Sequence, residues 1–182
     1  MILHLKDWDK YPQAIVHTST KNQSFIDLAN VFKKMGLKNY YFHLALHDPD
    51  LEHVDPFADN LSPQMIVKIT NEIAVNPWYF FREIAQTPDS TNDNRMFFRA
   101  NRANISLFWC FFNHCQYFLI QPRQTGKSYS TDIIMMYLLC FRKSLKLLLY
   151  TKDSQLRMLN VIRLRTLIAT LPAYLNPLTR KD

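Results

Sequence analysis

Residues 121–128 read QPRQTGKS and contain a Gly-Lys-Ser step, a set of residue types that can bind nucleotide phosphate. In a phosphate loop, backbone N–H groups surround the β- and γ-phosphates, and the next helix directs its positive end at the same anion. Gly126 would allow the close approach, Lys127 would contact the β- and γ-phosphates, and the Ser128 hydroxyl would ligate Mg²⁺. The sequence therefore predicts ATP and Mg²⁺ as cofactors. The predicted loop comprises Gln121, Pro122, Arg123, Gln124, Thr125, Gly126, Lys127 and Ser128.

The loop departs from the GxxxxGK[ST] pattern at one position, because Gln121 stands where the pattern has glycine. Glycine is scarce in this chain, which contains only Gly36 and Gly126, so its place directly before Lys127 is informative. Arg123 adds a second cation that could face the γ-phosphate and stabilise charge in phosphoryl transfer. We predict Arg123 and Lys127 as catalytic residues. The alternative is a basic turn that only caps a helix.

The elements around this loop are predicted to alternate between helix and strand, which is typical of an α/β unit with a parallel sheet. Short apolar runs predict buried strands, and longer apolar or amphipathic runs predict helices. The strands are expected at residues 117–121 and 146–151, and the helices at 100–113, 128–141 and from Asp153 or Ser154 to about residue 170. The last helix is expected to have one apolar face formed by Leu156, Leu159, Ile162, Leu167 and Ile168.

The first 75 residues are predicted to form a mainly helical region of unknown role. A helix over residues 25–35 should end at Gly36, and residues 47–60 form an acidic, proline-containing loop. A second helix over residues 63–75 begins with a serine N-cap followed by proline. Residues 76–94 are predicted to be a connecting region, with a short helix over 77–85 and a linker over 86–94.

Charge is distributed unevenly along the chain. Residues 1–90 have eight basic and eleven acidic side chains, whereas residues 91–182 have fourteen basic and four acidic, a net charge of +10. Such a basic half predicts an anionic partner, either nucleic acid or nucleotide phosphate, and a solvated basic face is the alternative. Arg95, Arg99 and Arg102 are expected to contact DNA phosphates, line the nucleotide pocket or face solvent.

The three cysteines, Cys110, Cys115 and Cys140, lie in apolar runs without a CxxC pair, which predicts reduced core thiols in an intracellular protein. The first residues lack the pattern of a secretory signal. The most apolar window, residues 105–120, is interrupted by polar side chains, so we expect no transmembrane segment.

Two other groups of residues could form functional sites. His43 and His47 precede an acidic run and suggest a metal cluster, but a solvated acidic loop explains the same residues. The aromatic runs at residues 78–81 and 108–112 could stack on nucleic-acid bases, although their helical spacing favours a place in the core.

The region around the phosphate loop resembles the N-terminal ATPase region of tailed-phage terminase large subunits, the DNA-packaging motors. The resemblance lies in QPRQTGKS between a strand and an apolar helix, the strand KLLLYT, the step Lys152-Asp153-Ser154, and a helix leading to LPAYLNP. The run NPWYFFREI is similar to the approach segment of large-phage members. About residues 76–182 are covered by this resemblance.

The resemblance implies a partial P-loop NTPase core of RecA-like (ASCE) type with parallel strands, so that residues 95–182 would form an incomplete ATPase domain. It implies that Gly126, Lys127 and Ser128 are the Walker A positions, and that Arg123 is an arginine finger acting in cis. The family's adenine-sensing glutamine has no equivalent in RANRANIS, where Asn104 could offer the same amide chemistry.

The resemblance also implies partners and a location. Double-stranded DNA, a portal protein and a small terminase subunit are the expected partners, and the full-length motor is expected to form an oligomeric ring without a membrane. The location would be the host cytoplasm, with transient attachment at the procapsid portal.

Acidic residues for ATP hydrolysis are missing from the sequence. After Lys127 the only acids are Asp132, Asp153 and Asp182, and none of them follows an apolar strand. A Walker B Asp-Glu pair and a nuclease cluster are therefore absent from these residues. We expect the front portion of a longer terminase, able to bind nucleotide weakly with little or no hydrolysis. The alternatives are a fragment of another helicase-like P-loop ATPase and a non-enzymatic basic nucleic-acid-binding module.

Overall fold

The computed structural model describes residues 9–88, 95–122, 126–142 and 144–177. In this part of the chain, helices dominate and the strands form two small antiparallel sheets, so the protein is of the α/β class. The helices are α1 (Gln23–Lys34), α2 (Pro63–Val75), α3 (Pro77–Tyr79), α4 (Arg102–Phe112), α5 (Lys127–Phe141) and α6 (Ser154–Ile168). The strands are β1 (Ile15–Val16), β2 (Ala45–Leu46), β3 (Gln86–Pro88) and β4 (Arg95–Phe97).

Local capping explains where several helices begin, and it confirms their prediction from sequence. The Ser62 hydroxyl accepts from the backbone N–H of Met65 at the start of α2. Asp153 caps α6, because its carboxylate accepts from the N–H of Leu156 at 2.8 Å. After the carboxyl-terminal end of α1, Gly36 adopts a φ of 78°, the left-handed conformation that commonly follows a helix.

The connecting region ends in a strand, β3, that the sequence did not predict. Strand β3 pairs antiparallel with β4, so that Gln86 lies opposite Phe97. Residues 86–88, predicted to be linker, are therefore part of a sheet, and residues 89–94 lie outside the described part of the chain. The other sheet pairs β1 with β2.

An aromatic cluster forms the centre of the core. Helix α3 continues into a π-helical turn over Phe80–Ile84, and the run from Trp78 to Phe81 is fully buried. Phe81 stacks on Phe108 of α4, with ring centroids 4.0 Å apart. Most of the buried apolar residues form one cluster that extends from α1 to the residues after α6, and a small second cluster contains Ala14 and Ala45. Residues 78–81, in the segment predicted to connect two regions, thus lie at the centre of the core, as their helical spacing predicted.

A fully buried arginine organises the polar part of this core. Arg82 donates from Nε to the Glu83 carboxylate at 2.7 Å and from Nη1 to the carbonyl of His43 at 2.7 Å. Its Nη2 lies 3.1 Å from Nδ1 of His17. Burial and the neighbouring Arg82 guanidinium lower the pKa of His17 to about 4. These contacts join the first sheet to the π-helical turn.

The two predicted parallel strands are not paired in the described chain. Residues 117–121 and 146–151 run outside any assigned element, and the only ladders among the described residues are β1–β2 and β3–β4. A strand needs a neighbour to satisfy its N–H and C=O groups, and no described segment lies in that position. A parallel core therefore remains a prediction.

The expected apolar face of α6 is only partly buried. Leu167 and Ile168 are in the core, as predicted. Leu156, Leu159 and Ile162 are instead 43%, 58% and 52% exposed, because the described chain packs only the carboxyl-terminal end of this helix into the core.

Candidate phosphate-binding site

The residue that begins the site is Gly126, which directly precedes helix α5. It adopts φ 78° and ψ 11°, a left-handed conformation that favours glycine over other residues. A Cβ added at this position would meet no atom of the described residues within 4 Å, so among these residues the preference for glycine is conformational and not steric. Arg123, Gln124 and Thr125 of the predicted loop lie outside the described residues.

The first turn of α5 presents Lys127 and Ser128 to solvent. Among the described residues, no side chain caps this end of the helix. The helical ladder begins with the N–H of Ser130, which donates to the carbonyl of Gly126 at 2.9 Å. The first N–H groups of a helix carry its positive end and readily bind anions. The predicted lysine and serine therefore lie together at a helix N-terminus that no described side chain caps.

The rest of α5 is fixed firmly to the core. Ile133 and Met136 are fully buried, and the Tyr137 hydroxyl donates to the carbonyl of Ile73 on α2 at 3.0 Å. The Tyr137 ring lies 5.3 Å from that of Phe80 in the π-helical turn. This packing gives the exposed first turn a rigid base.

An ion pair joins α5 to α6 near the site. Nε of Arg163 donates to the carboxylate of Asp132, which is almost fully buried. The same guanidinium lies over the ring of Tyr129, 5.8 Å from its centroid. Asp132 is therefore engaged in holding two helices together.

The described acids near the loop are thus used structurally. Asp132 pairs with Arg163, Asp153 caps α6, and Asp182 lies outside the described residues. Within the described ranges, no group of three or more histidine, cysteine or acidic side chains could hold a metal ion. Ser128, the predicted ligand of Mg²⁺, lies in the described part of the chain.

The amide of Asn104 is occupied by helix capping. Its Oδ1 accepts from the backbone N–H of Asn101 at 2.8 Å, and its Nδ2 donates to the carbonyl of Arg99 at 2.9 Å. The side chain of Asn101 accepts in return from the N–H of Asn104, which completes a capping box. A contact with adenine stays a prediction, and it would have to replace these bonds.

The other described loop positions and the arginines predicted to contact DNA differ in their exposure to solvent. Gln121 is half-buried and Pro122 is exposed at the end of the extended segment. Arg99 and Arg102 are exposed, and the side chain of Arg95 lies outside the described part of the structure. The predicted contacts of these arginines with DNA remain predictions.

The two histidines of the suggested metal cluster have separate structural roles. His43 is fully buried, and its Nε2 lies 2.9 Å from the carbonyl oxygen of Phe25. Burial lowers its pKa to about 4. Nδ1 of His47 lies 3.6 Å from the buried carboxylate of Glu72, and its Nε2 lies 2.7 Å from the amide nitrogen of Gln13.

The cysteines are free thiols in different environments. Cys110 and Cys140 are half-buried, and burial raises the pKa of Cys140 to about 11. Cys115 is exposed beyond the end of α4, so its prediction as a core residue is wrong.

Comparisons with known proteins identify no relative. No family model, curated protein or solved structure matches this chain. In the described ranges, the helices are too short or too polar to cross a membrane.

Two concave sites were not evident from the sequence. A groove of about 420 Å³ lies between α1 and α4, where aromatic and aliphatic side chains surround Arg102 and Ser106. A smaller cavity of about 160 Å³ is lined by His17, Glu83 and Asp55, among others. Each brings together residues far apart in the chain, so no local motif could have predicted it.

Proposed function

We propose that this chain is the ATP-binding part of a viral DNA-packaging motor of the terminase type. The observation that carries the proposal is the left-handed Gly126 directly before an exposed helix N-terminus that presents Lys127 and Ser128 and that no described side chain caps. We infer the nucleotide and the type of motor from the phosphate-loop sequence and from its resemblance to terminase ATPases.

The residues present fit a magnesium nucleotide. The absence of a Cβ at Gly126 and the open space beside it leave room for phosphate oxygens, and the uncapped N–H groups can donate to them. The ammonium of Lys127 would neutralise phosphate charge, and the Ser128 hydroxyl would ligate Mg²⁺. Arg123 would face the γ-phosphate. When bound, ATP supplies the phosphoanhydride bond whose cleavage drives DNA movement.

Hydrolysis requires carboxylates that these residues do not supply. Asp132 and Asp153 are engaged in an ion pair and a helix cap, and a water-activating acid is needed for turnover. The isolated chain should therefore bind nucleotide without turning it over. In the working motor, double-stranded DNA, a portal protein and a small terminase subunit would be its partners, in a ring in the host cytoplasm.

A titration of a fluorescent ATP analogue with Mg²⁺ tests the proposal. Lys127→Ala should weaken binding about ten-fold or more, because one charge-assisted contact to phosphate is lost. Lys146→Ala, which removes an equally exposed lysine outside the loop, is the matched control and should leave affinity unchanged. Phosphate release is followed in the same samples. Equal affinities of the native and Lys127→Ala proteins would overturn the proposal.

A basic nucleic-acid-binding module without nucleotide chemistry is the second candidate, because residues 91–182 have a net charge of +10. In that case Lys127→Ala would only reduce a salt-sensitive affinity for DNA. The slope of log affinity against log salt would fall by about one, with no change in nucleotide binding.

A further inference from the structure

The groove between α1 and α4 groups apolar side chains around a concave surface. Phe32 and Met35 of α1 line it together with Ile105 and Trp109 of α4. Its volume of about 420 Å³ lies within the range of about 300–1,000 Å³ that is typical of ligand sites. Met35 and Leu37, which also lines the groove, are 49% and 40% exposed. Apolar side chains that are exposed around a groove indicate a binding surface.

The α4 wall of the groove is a single stripe of a helix. Arg102, Ile105, Ser106 and Trp109 follow the spacing i, i+3, i+4 and i+7, so they share one face of α4. The backbone N–H and C=O groups within a helix bond to one another, so neither wall can pair with an added strand. An occupant that satisfies its own backbone, as a third helix does, fits this surface.

The two stretches that form the groove are strongly basic. Every lining residue lies within residues 28–42 or 99–113, and these stretches contain five lysine or arginine residues and no aspartate or glutamate. Arg102 lines the groove and is exposed, and Lys34 and Lys38 are exposed on either side of Met35 and Leu37 in the chain. A helix with carboxylates beside its apolar side chains complements these cations.

The helices of the described chain do not supply such an occupant. Helices α4 and α6 contain no acidic residue, and neither does the short α3. The acids of the other helices are Asp27 on α1 itself, Glu72 and Asp132, and the last two are buried. A second copy of this chain would therefore bring like charges together. The occupant that fits the groove belongs to another polypeptide.

We propose that the groove between α1 and α4 binds an amphipathic, acidic helix of a partner protein. The apolar side chains of the partner helix would enter the groove beside Trp109, and its carboxylates would face Arg102. This inference goes beyond the proposed nucleotide function and does not depend on it, because Gly126, Lys127 and Ser128 are not among the lining residues.

Binding of a designed peptide to the full chain tests the proposal. The probe is a fluorescein-labelled helix of about 18 residues, long enough to form in water, with leucine on one face and glutamate elsewhere. Anisotropy measures its affinity. This Glu peptide should bind about ten-fold or more tightly than a scrambled peptide of the same composition, and than a Lys peptide in which lysine replaces every glutamate.

Tryptophan fluorescence locates the peptide. Trp109 is half-buried in the groove, whereas Trp78 is fully buried in the core. An unlabelled Glu peptide, which contains no aromatic residue, should shift the emission of the native protein. Trp109→Phe keeps an aromatic ring in the groove, so it should abolish the shift and retain peptide binding by anisotropy.

Substitutions at exposed lining positions separate docking from folding. Met35→Glu places a carboxylate in the groove and should weaken binding of the Glu peptide about ten-fold or more through like-charge repulsion. Met158→Glu, at a 60% exposed position of α6, is the control and should leave affinity unchanged. Circular dichroism verifies the fold, and Ser106→Glu replaces Met35→Glu if that variant does not fold.

The charge contribution has its own pair of variants. Arg102→Gln should weaken binding of the Glu peptide and reduce its dependence on salt, because screening acts only on the charges that remain. Arg157→Gln, at an exposed position of α6, is the control. Lys127→Ala should lose nucleotide and keep peptide binding. Retained nucleotide binding in that variant would contradict the proposed function alone.

Four results would overturn the docking proposal. Two are equal affinities for the Glu and scrambled peptides, and an affinity that Met35→Glu leaves unchanged. In the other two, phosphatidylglycerol vesicles or duplex DNA bind in a manner that Met35→Glu abolishes, while the Glu peptide does not bind. Those last results would assign the groove to a membrane surface or to nucleic acid.

Discussion

Arg163 of α6 donates a hydrogen bond from Nε to the carboxylate of Asp132 on α5, and Asp132 is almost fully buried. The pair links the helix that follows the phosphate loop to the helix that follows the second extended segment. Arg163 is about a quarter exposed, so water reaches the cation but not the anion. A buried anion of this kind depends on its partner, because an unpaired charge in the interior is costly.

Arg163→Leu should lower the free energy of unfolding by about 2–4 kcal/mol, since it leaves the Asp132 carboxylate buried without its cation. Urea unfolding followed by tryptophan fluorescence measures the change. Arg157→Leu, an exposed position on the same helix, is the control and should alter stability by less than about 0.5 kcal/mol. Equal effects of the two substitutions would mean that the ion pair contributes nothing.

Gly126→Ala and Gly36→Ala form a matched pair, because both glycines have φ 78° and open space around the missing Cβ. Each substitution should cost about 1 kcal/mol of stability through the left-handed backbone. Only Gly126→Ala should also weaken binding of the fluorescent ATP analogue. Thermal unfolding and the nucleotide titration distinguish the two effects. A loss of nucleotide affinity in Gly36→Ala would show that the effect is not local to the loop.

Acidification should destabilise the protein through two buried histidines. Burial, aided by Arg82 at His17, lowers the pKa of His17 and of His43 to about 4, from 6.5. Above pH 6.5 both folded and unfolded forms are neutral. As the pH falls from 6.5 towards 4, the unfolded chain binds protons that the folded protein excludes. The free energy of unfolding therefore falls by up to about 3 kcal/mol per histidine.

Urea unfolding at several pH values between about 7 and 5 measures this dependence. His43→Gln keeps a side-chain amide that can donate to the carbonyl of Phe25 but removes the titration, so it should reduce the slope by about half. His53→Gln, at an exposed position, is the control. If His43→Gln leaves the slope of unfolding free energy against pH unchanged, other groups cause the pH dependence.

Arg82→Met should lower the free energy of unfolding by about 3–5 kcal/mol, or prevent folding. The substitution leaves the Glu83 carboxylate and the His43 carbonyl buried without their hydrogen-bond donor. Arg99→Met, at an exposed position, should be nearly neutral. Circular dichroism and urea unfolding compare the two. If Arg82→Met does not fold, Arg82→Lys keeps a cation and should restore part of the stability. A stable Arg82→Met protein would contradict the role of this network.

Local signals in the sequence predicted most of the helices, since caps and helix-ending glycines act within a few residues. The N-caps Ser62 and Asp153 and the glycine after α1 are cases in which one turn of chain contains the whole cause. The sequence predicted that Gly126 would allow close approach of phosphate, and its left-handed φ of 78° is a finding of the structure. A left-handed turn into a helix needs only local backbone geometry.

Pairing between distant segments was not predictable in this way. Strand β3 was missed because its partner β4 is reached only across residues 89–94, and the apolar content of residues 117–121 indicated a strand without indicating what it would pair with. The burial of Leu167 but not of Leu159 on α6 likewise depends on what the rest of the chain places against that helix.

The sequence by itself indicated most of the helices and the excess of positive charge, because each is a property of neighbouring residues or of composition. Its phosphate loop stays a prediction. Only the tertiary structure decided that Asp132 is paired with Arg163, and that Phe118 and Ile120 are exposed in the described part of the chain. These features depend on which surfaces meet when the chain folds, and the free energy of such contacts arises between residues far apart in the sequence.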